Sequence, residues 1–230
     1  DTRNGAEVEK LFENYRPNVV FQSSMKKYIP FYNIRCDGVA ESNYVCTFNL
    51  ARMAEKFDCE NFVVISSLAS GNNGNLITES LRIAEHSLKH FFSGTNTRLI
   101  VSRISNIIEN RGGIVSLIER QIQNKNSVTI PTVETPTYLI SKTSAAMFIL
   151  QCLAGASKLA PGEGAFVTEQ GTPVSIMEVI RKIADLYGLK LDADLAIKYR
   201  SPVGGPVAMS QNKLSTKSHS YEETVGPLDN

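Results

Sequence analysis

The sequence predicts an α/β fold built on a doubly wound parallel sheet, and three observations carry that expectation. Short β-branched runs at Asn18–Phe21, Phe62–Ile65 and Arg98–Val101 alternate with longer stretches of helical periodicity. The first runs are apolar at successive positions, as a strand must be when helices cover both faces of its sheet. The composition is globular, since 230 residues at 42% hydrophobic and 20% charged suit one domain or one and a half.

Asn4 caps a first helix in which Val8, Leu11, Phe12 and Tyr15 recur at helical spacing, Glu7 stands three residues after the cap, and Pro17 stops the run. After the strand at 18–21, a helix is expected over about 36 to 57, with Val39, Asn43, Cys46, Leu50, Met53 and Ala54 near one face. The strand at 62–65 ends at Ser66 and Ser67. The loop 68–75, with Gly71, Asn72, Asn73 and Gly74, leads into a helix whose stripe is Leu81, Ala84, Leu88 and Phe91. After the strand at 98–101, Gly112 and Gly113 precede a helix carrying Ile114, Leu117, Ile118 and Ile122, followed by a short strand at Val128–Ile130. A further helix carries Ala145, Phe148, Ile149 and Cys152, and Ala165–Val167 is a last short strand. Ser175 with Glu178 makes a capping box for a helix bearing Ile176, Val179, Ile180 and Ile183, closed by Gly188. From Ser201 onward Pro, Gly, Ser and charged residues dominate, so 201–230 reads as a tail, pinned at Val207–Met209. The domain division that follows is 1–125 for the partial sheet domain and 126–200 for a C-terminal lobe interleaved with it.

Several function classes are excluded. A formal charge of +1 gives no electrostatic footprint for nucleic acid or an anionic membrane, so no nucleic-acid partner is expected. No apolar run reaches spanning length, and none marks a signal peptide, so membrane insertion of this segment is not expected. Cys36, Cys46, Cys59 and Cys152 form no C-x-x-C pair, which fits a reducing, cytoplasmic compartment rather than a disulfide framework. The chain opens at Asp1 without a Met, which leaves its natural start open.

A doubly wound sheet places ligands at the carboxyl ends of its strands, and those segments carry a family resemblance. Residues 18–30, from Asn18-Val-Val-Phe-Gln-Ser-Ser to Tyr28-Ile-Pro30, resemble the "D-x-V-x-H-A-A-A-x-K-H-V-P" segment of the polysaccharide-biosynthesis branch of extended short-chain dehydrogenases. That branch contains the UDP-N-acetylglucosamine 4,6-dehydratases and related epimerases. Asn43 with Thr47 resembles its "N-x-x-G-T" helix, Val63-Val-Ile-Ser-Ser67 its "V-x-I-S-T" strand, and Arg82-Ile-Ala-Glu85 its "R-x-A-E" helix. Val101-Ser-Arg-Ile-Ser-Asn106 is similar to "V-R-F-G-N-V", Asn110-Arg-Gly-Gly-Ile-Val115 to "S-R-G-S-V-I", and Asp1-Thr-Arg-Asn4 to the "D-I-R-D" that ends the family's third strand. The likeness is collinear from Asp1 to about Gly188. It implies a Rossmann-like sheet whose first half is missing here, with a small C-terminal substrate-like lobe.

The resemblance implies cofactor-side positions at Asp1, Ser23, Lys27, Asn43, Ser66 and Ser67, and nucleotide-sugar contacts at Asn106, Arg111 and Gly112. It also implies what chemistry the family performs. A nicotinamide oxidises the sugar at C4, so a base takes the hydroxyl proton while hydride leaves, and a nearby Lys lowers that base's pKa. At constant spacing the family's Asp, Lys, Tyr or Met, and second Lys fall on Leu68, Ala69, Ile77 and Leu81, none of which carries a proton. The family's His is Gln22, its "T-R" is Pro136-Thr137, and no G-x-x-G-x-x-G turn is present to cradle a pyrophosphate.

Other signals are weaker. Tyr138-Leu-Ile-Ser-Lys142 matches a Tyr-x-x-x-Lys pattern but follows the wrong segment. His86 and His90 stand four apart, yet with no third ligand in view, and Glu85 and Lys89 beside them, they read as a solvated face rather than a metal site. Gly71-Asn-Asn-Gly74 reads as a plain turn.

The expectation is therefore a catalytically silent nucleotide-sugar-dehydratase-like domain with a binding, regulatory or structural role, carrying no catalytic residue and no metal site. The alternative is a working NAD(P)-dependent dehydratase or epimerase with displaced catalytic residues. No cofactor is expected in this chain, and NAD(P) only if a glycine-rich N-terminal half is present. A weak UDP-sugar ligand is expected, and so is a homo-oligomer or partner segment covering strand 18–21. In the order 3-2-1-4-5-6 that strand is the fourth and lacks the first as its neighbour, with roughly 60 residues of core absent.

Overall fold

The computed structural model describes residues 1–24, 38–68, 76–125, 127–131, 136–169, 171–191, 193–200 and 224–225. Asn4 caps α1 (Gly5–Tyr15) by accepting from the amides of Ala6 and Glu7, and the helix ends on Arg16 in the left-handed region. Then come β1 (Val19–Gln22), α2 (Val39–Lys56), β2 (Asn61–Ser67), α3 (Leu76–Phe92) and β3 (Arg98–Ile104). The pair β4 (Asn106–Ile107) leads to α4 (Ile114–Lys125), β5 (Ser127–Pro131), β6 (Pro136–Ile140) and α5 (Lys142–Gly155). The chain finishes with β7 (Gly164–Glu169), β8 (Thr172–Ser175), α6 (Ile176–Leu186), β9 (Ala196–Arg200) and β10 (Thr224–Val225).

The main sheet runs β1-β2-β3-β7-β10, and every pairing in it is parallel. This is the Rossmann-like architecture the alternation predicts. Successive residues face opposite sides of a strand, and the sheet buries both. On one face Val20, Phe62, Val64, Leu99 and Val101 form a single core with Val8 and Phe12 of α1, Ala51 and Ala54 of α2, and Leu81, Ala84 and Leu88 of α3. On the other face Val63, Ile100, Ile104 and Val167 meet Ala145, Phe148, Ile149 and Cys152 of α5. A third core joins α4, β5, α6 and Leu195, so Ile114, Ile118 and Ile122 pack with Val128, Val179 and Ile180. In that lobe β5 pairs with β9 in parallel, while β6 is flanked by β4 and β8.

Several expectations are corrected. Leu11 and Tyr15 lie on the exposed side of α1, because the helix buries only the narrow strip holding Val8 and Phe12. On α3 the buried aromatic is Phe92, packed against Phe62, with Phe91 only partly covered. The region beyond Ser201 is not wholly a tail, since Thr224 and Val225 pair with Val167 and Thr168. The suggested pin at Val207–Met209 lies outside the described residues. Among the described residues no helix is long and apolar enough to cross a membrane.

Candidate functional site

The carboxyl ends of β1, β2 and β3 bring together Gln22, Ser23, Ser66, Ser67, Arg103 and, one residue past the strand, Ser105. Each is placed by its strand, and most are already engaged within the protein. Gln22 stands where the resemblance implies a His; it is 2% exposed, donates from Nε2 to Thr47 Oγ1 at 2.9 Å, and accepts through Oε1 from Ser24. Asn43 is buried on α2 and donates to Ser80 Oγ at 3.0 Å, and Ser80 in turn donates to the Ile77 carbonyl. Two helices and the end of β1 are thereby tied together under the cleft.

The strongest polar feature was not legible as a site residue. Glu85 is 0% exposed and shares its carboxylate: Oε1 accepts from Ser66 Oγ at 2.5 Å, and Oε2 accepts from Arg103 Nη2 at 2.7 Å and Nε at 3.1 Å. The expectation that Glu85 lies on a solvated face beside His86 and His90 is thus overturned, although both histidines are exposed. A signal was present in the sequence. Glu85 stands four residues after Leu81 and three before Leu88, which puts it on the helix's buried stripe.

Where the family resemblance requires proton carriers, the chain buries hydrocarbon. Ile77 is 3% exposed and Leu81 0%, both on α3, and Leu68 is half-buried at the end of β2. Ala69, Lys27 and Gly71–Gly74 lie outside the described residues. Ser105 keeps a buried hydroxyl without a hydrogen-bond partner, and a Cβ on Gly171 would stand 3.0 Å from it.

On the lobe side, Asn106 donates to Thr137 Oγ1 at 3.0 Å and so links β4 to β6. Arg111 and Gly112 are exposed at the approach to α4. Gly112 N–H is directed at Asn110 Oδ1, Gly113 N–H at the Asn110 carbonyl, and Ser116 Oγ lies within donating distance of the Asn110, Arg111 and Gly113 carbonyls. Asp1 is exposed and holds Arg3 in a surface ion pair. Tyr138 ends up half-buried on β6, while Lys142 opens α5 with its N–H on the Glu109 carboxylate. These positions therefore lie on separate elements. Among the described residues no group of three or more His, Cys, Asp and Glu is placed to hold a metal ion.

A nicotinamide dinucleotide would meet donors that are already engaged. Gln22, Asn43 and Ser66 already engage internal partners through their polar atoms. These residues do not by themselves fit a pyrophosphate.

A parallel sheet covered on both faces, with a small lobe beyond its carboxyl edge, defines a Rossmann-like α/β protein. The chain belongs to the polysaccharide biosynthesis protein family, whose model matches residues 1–204. It is 27% identical over 188 residues to the probable polysaccharide biosynthesis protein EpsC of Bacillus subtilis, covering 82% of this chain and 31% of that protein. It is 26% identical over 200 residues to the capsular polysaccharide biosynthesis protein CapD of Staphylococcus aureus, covering 86% of this chain and 33% of the relative. The chain thus spans about a third of the length of these curated relatives. In fold it is similar to the UDP-glucose 4-epimerase of Thermus thermophilus, solved in complex with NAD, with a TM-score of 0.66, 16% identity, and 89% of this chain and 72% of that chain covered.

Proposed function

We propose that this chain is a catalytically silent, nucleotide-sugar-dehydratase-like domain that serves polysaccharide or glycoconjugate biosynthesis in the cytoplasm as a binding or structural unit. The observation that carries the reading is the burial of Ile77 and Leu81 in apolar surroundings, at the α3 positions where the family resemblance requires a proton carrier and its Lys. A hydrocarbon side chain neither takes a hydroxyl proton nor lowers a neighbour's pKa, so oxidation of a sugar hydroxyl has no base there. The nearest buried acid, Glu85, is held as a carboxylate partner by Arg103 and faces the interior.

On this reading the substrate-side lobe keeps a weak diphosphate contact at Arg111, with Asn106 and Gly112 as its neighbours. Asp1, Ser23, Lys27, Asn43, Ser66 and Ser67 are the remains of a dinucleotide wall, and NAD(P) binds only where a glycine-rich strand, turn and helix complete it. The Thermus relative's complex with NAD supports that placement by its fold alone.

The test is an assay of UDP-N-acetylglucosamine conversion with added NAD or NADP, read by mass spectrometry of the sugar product. Losing general acid–base catalysis alone removes about 100- to 10,000-fold in rate, so no product above background is expected. Turnover that disappears in Tyr138→Phe or Lys142→Ala would overturn the reading and make those two residues a displaced catalytic pair.

A further inference from the structure

Helix α5 is apolar on both sides. Its inner side, with Ala145, Phe148, Ile149 and Cys152, packs on β2, β3 and β7, and among the described residues no other α-helix shares that core. On the opposite side Thr143, Met147, Leu150 and Ala154 follow one another at steps of four, three and four residues, and all four are exposed. Met147 is 53% and Leu150 52% exposed. No charged residue occurs between Lys142 and Lys158. A surface helix ordinarily turns charge outward, as α6 does with Glu178, Arg181, Lys182 and Asp185. A contiguous apolar face in that position marks a contact.

The pattern of the face says what meets it. Steps of four and three residues are the seam of paired helices, in which apolar positions recur every 3.5 residues. This seam is its own complement when a second α5 runs antiparallel about a two-fold axis. Met147 then opposes the partner's Leu150, and Thr143 opposes the partner's Ala154, so the bulky side chains meet at the centre and the small ones at the ends. Charge decides the direction. A parallel pair would set Lys158 against its own copy. The antiparallel pair brings Lys158 to the start of the other helix, where the Glu109 carboxylate accepts from the Lys142 N–H at 2.8 Å, and it opposes the two helix dipoles. A lipid surface is a poorer match, because an interfacial helix carries Lys and Arg along its polar flank and α5 has none between its ends.

We propose that the Thr143–Met147–Leu150–Ala154 face of α5 is the seat of a second copy of this chain, in an antiparallel two-fold pair of α5 helices. The seam is about 21 Å long, so the contact falls in the transient class that buries less than about 1,200 Å², and association is expected at about 10–100 µM. The inference is independent of whether the protein binds a nucleotide sugar.

The experiment is sedimentation velocity of the protein from about 1 to 300 µM, a range over which the parent should pass from monomer to dimer. Leu150→Glu and Met147→Lys should each weaken the dimer at least about 10-fold, while Leu186→Glu, at an exposed position of α6, should leave it unchanged. Mixing the Leu150→Glu and Met147→Lys variants should restore association as a heterodimer, because the antiparallel register sets an acidic side chain against a basic one. Circular dichroism melts report whether each variant is folded. Monomer at every concentration, a dimer that Leu150→Glu leaves intact, or no recovery in the mixture would overturn the proposal. Flotation with phosphatidylglycerol vesicles that Leu150→Glu abolishes would overturn it too, and would assign the face to a membrane.

Discussion

Arg103 Nη2 lies 2.7 Å from Glu85 Oε2, and this ion pair ties the last residues of β3 to the middle of α3 beneath the cleft. Glu85 has no solvent contact, while the Arg103 side chain retains 14% of its exposure. Burying a carboxylate costs several kcal/mol, and only the combined Arg103 and Ser66 contacts offset it.

Removing Arg103 alone should therefore cost more than removing both partners. Arg103→Ala leaves an unpaired buried carboxylate and is expected to destabilise by about 3–5 kcal/mol. The double change Glu85→Met with Arg103→Met is expected to recover most of that. Urea unfolding of the single and double variants decides it; equal losses would mean that the pair is no more than packing.

Much of this arrangement can be read from periodicity. The cap at Ser175 accepts from Met177 N–H, and Ile176, Val179, Ile180 and Ile183 are buried as their spacing requires. The buried stripe of α3 is likewise correct at Leu81, Ala84 and Leu88. What escapes a reading of the chain is pairing between distant segments. Residues 196–200 and 172–175 alternate too briefly to declare themselves, yet they are strands because β5 and β6 receive them. The place of Glu85 on the buried stripe is legible, but its partner escapes for the same reason. The charge of Glu85 suggests solvent until Arg103, eighteen residues away, is known to point at it from the neighbouring strand.

Gly171 is a second fixed point, at the entry to β8. Its φ is +67°, and an added Cβ would stand 2.4 Å from the Leu139 carbonyl oxygen. Gly171→Ala is expected to cost about 1–3 kcal/mol and to loosen the β6–β8 pairing. Gly112→Ala meets nothing within 4 Å and should fall within about 0.5 kcal/mol of the parent. Thermal melts of the two variants compare them directly, and indistinguishable melting points would contradict the close approach at Gly171.

Cys59 is buried, and its thiol pKa is pushed up to about 11, first by burial and then by the neighbouring Asp58 carboxylate. Its Sγ donates to the Pro17 carbonyl. With the ordinary value at 9.0, the thiolate population is about 100-fold lower at neutral pH, and iodoacetamide should label Cys59 correspondingly slowly in the folded protein. Because the folded value is raised, the contribution to stability is complete below the ordinary value of 9.0 and is lost as pH rises toward about 11. Labelling of Cys59 as fast as in the urea-unfolded chain would show the site to be open.

The ligand contact proposed at Arg111 yields the most direct functional expectation. Arg111 is exposed at the approach to α4, where the helix start is electropositive and a guanidinium adds two parallel donors suited to a diphosphate. Asn110 and Ser116 already engage the surrounding turn, and Asn106 is committed to Thr137, so on the proposed reading Arg111 is expected to carry most of the affinity. Binding of uridine diphosphate is therefore expected at about millimolar, or about 4 kcal/mol, and no tighter. Calorimetric or NMR titration should show that signal vanish in Arg111→Ala and survive in Arg181→Ala, whose side chain lies on the outer face of α6. Equal binding by the Arg111 variant would place the nucleotide elsewhere, and micromolar binding by the parent would mean that contacts beyond Arg111 remain intact.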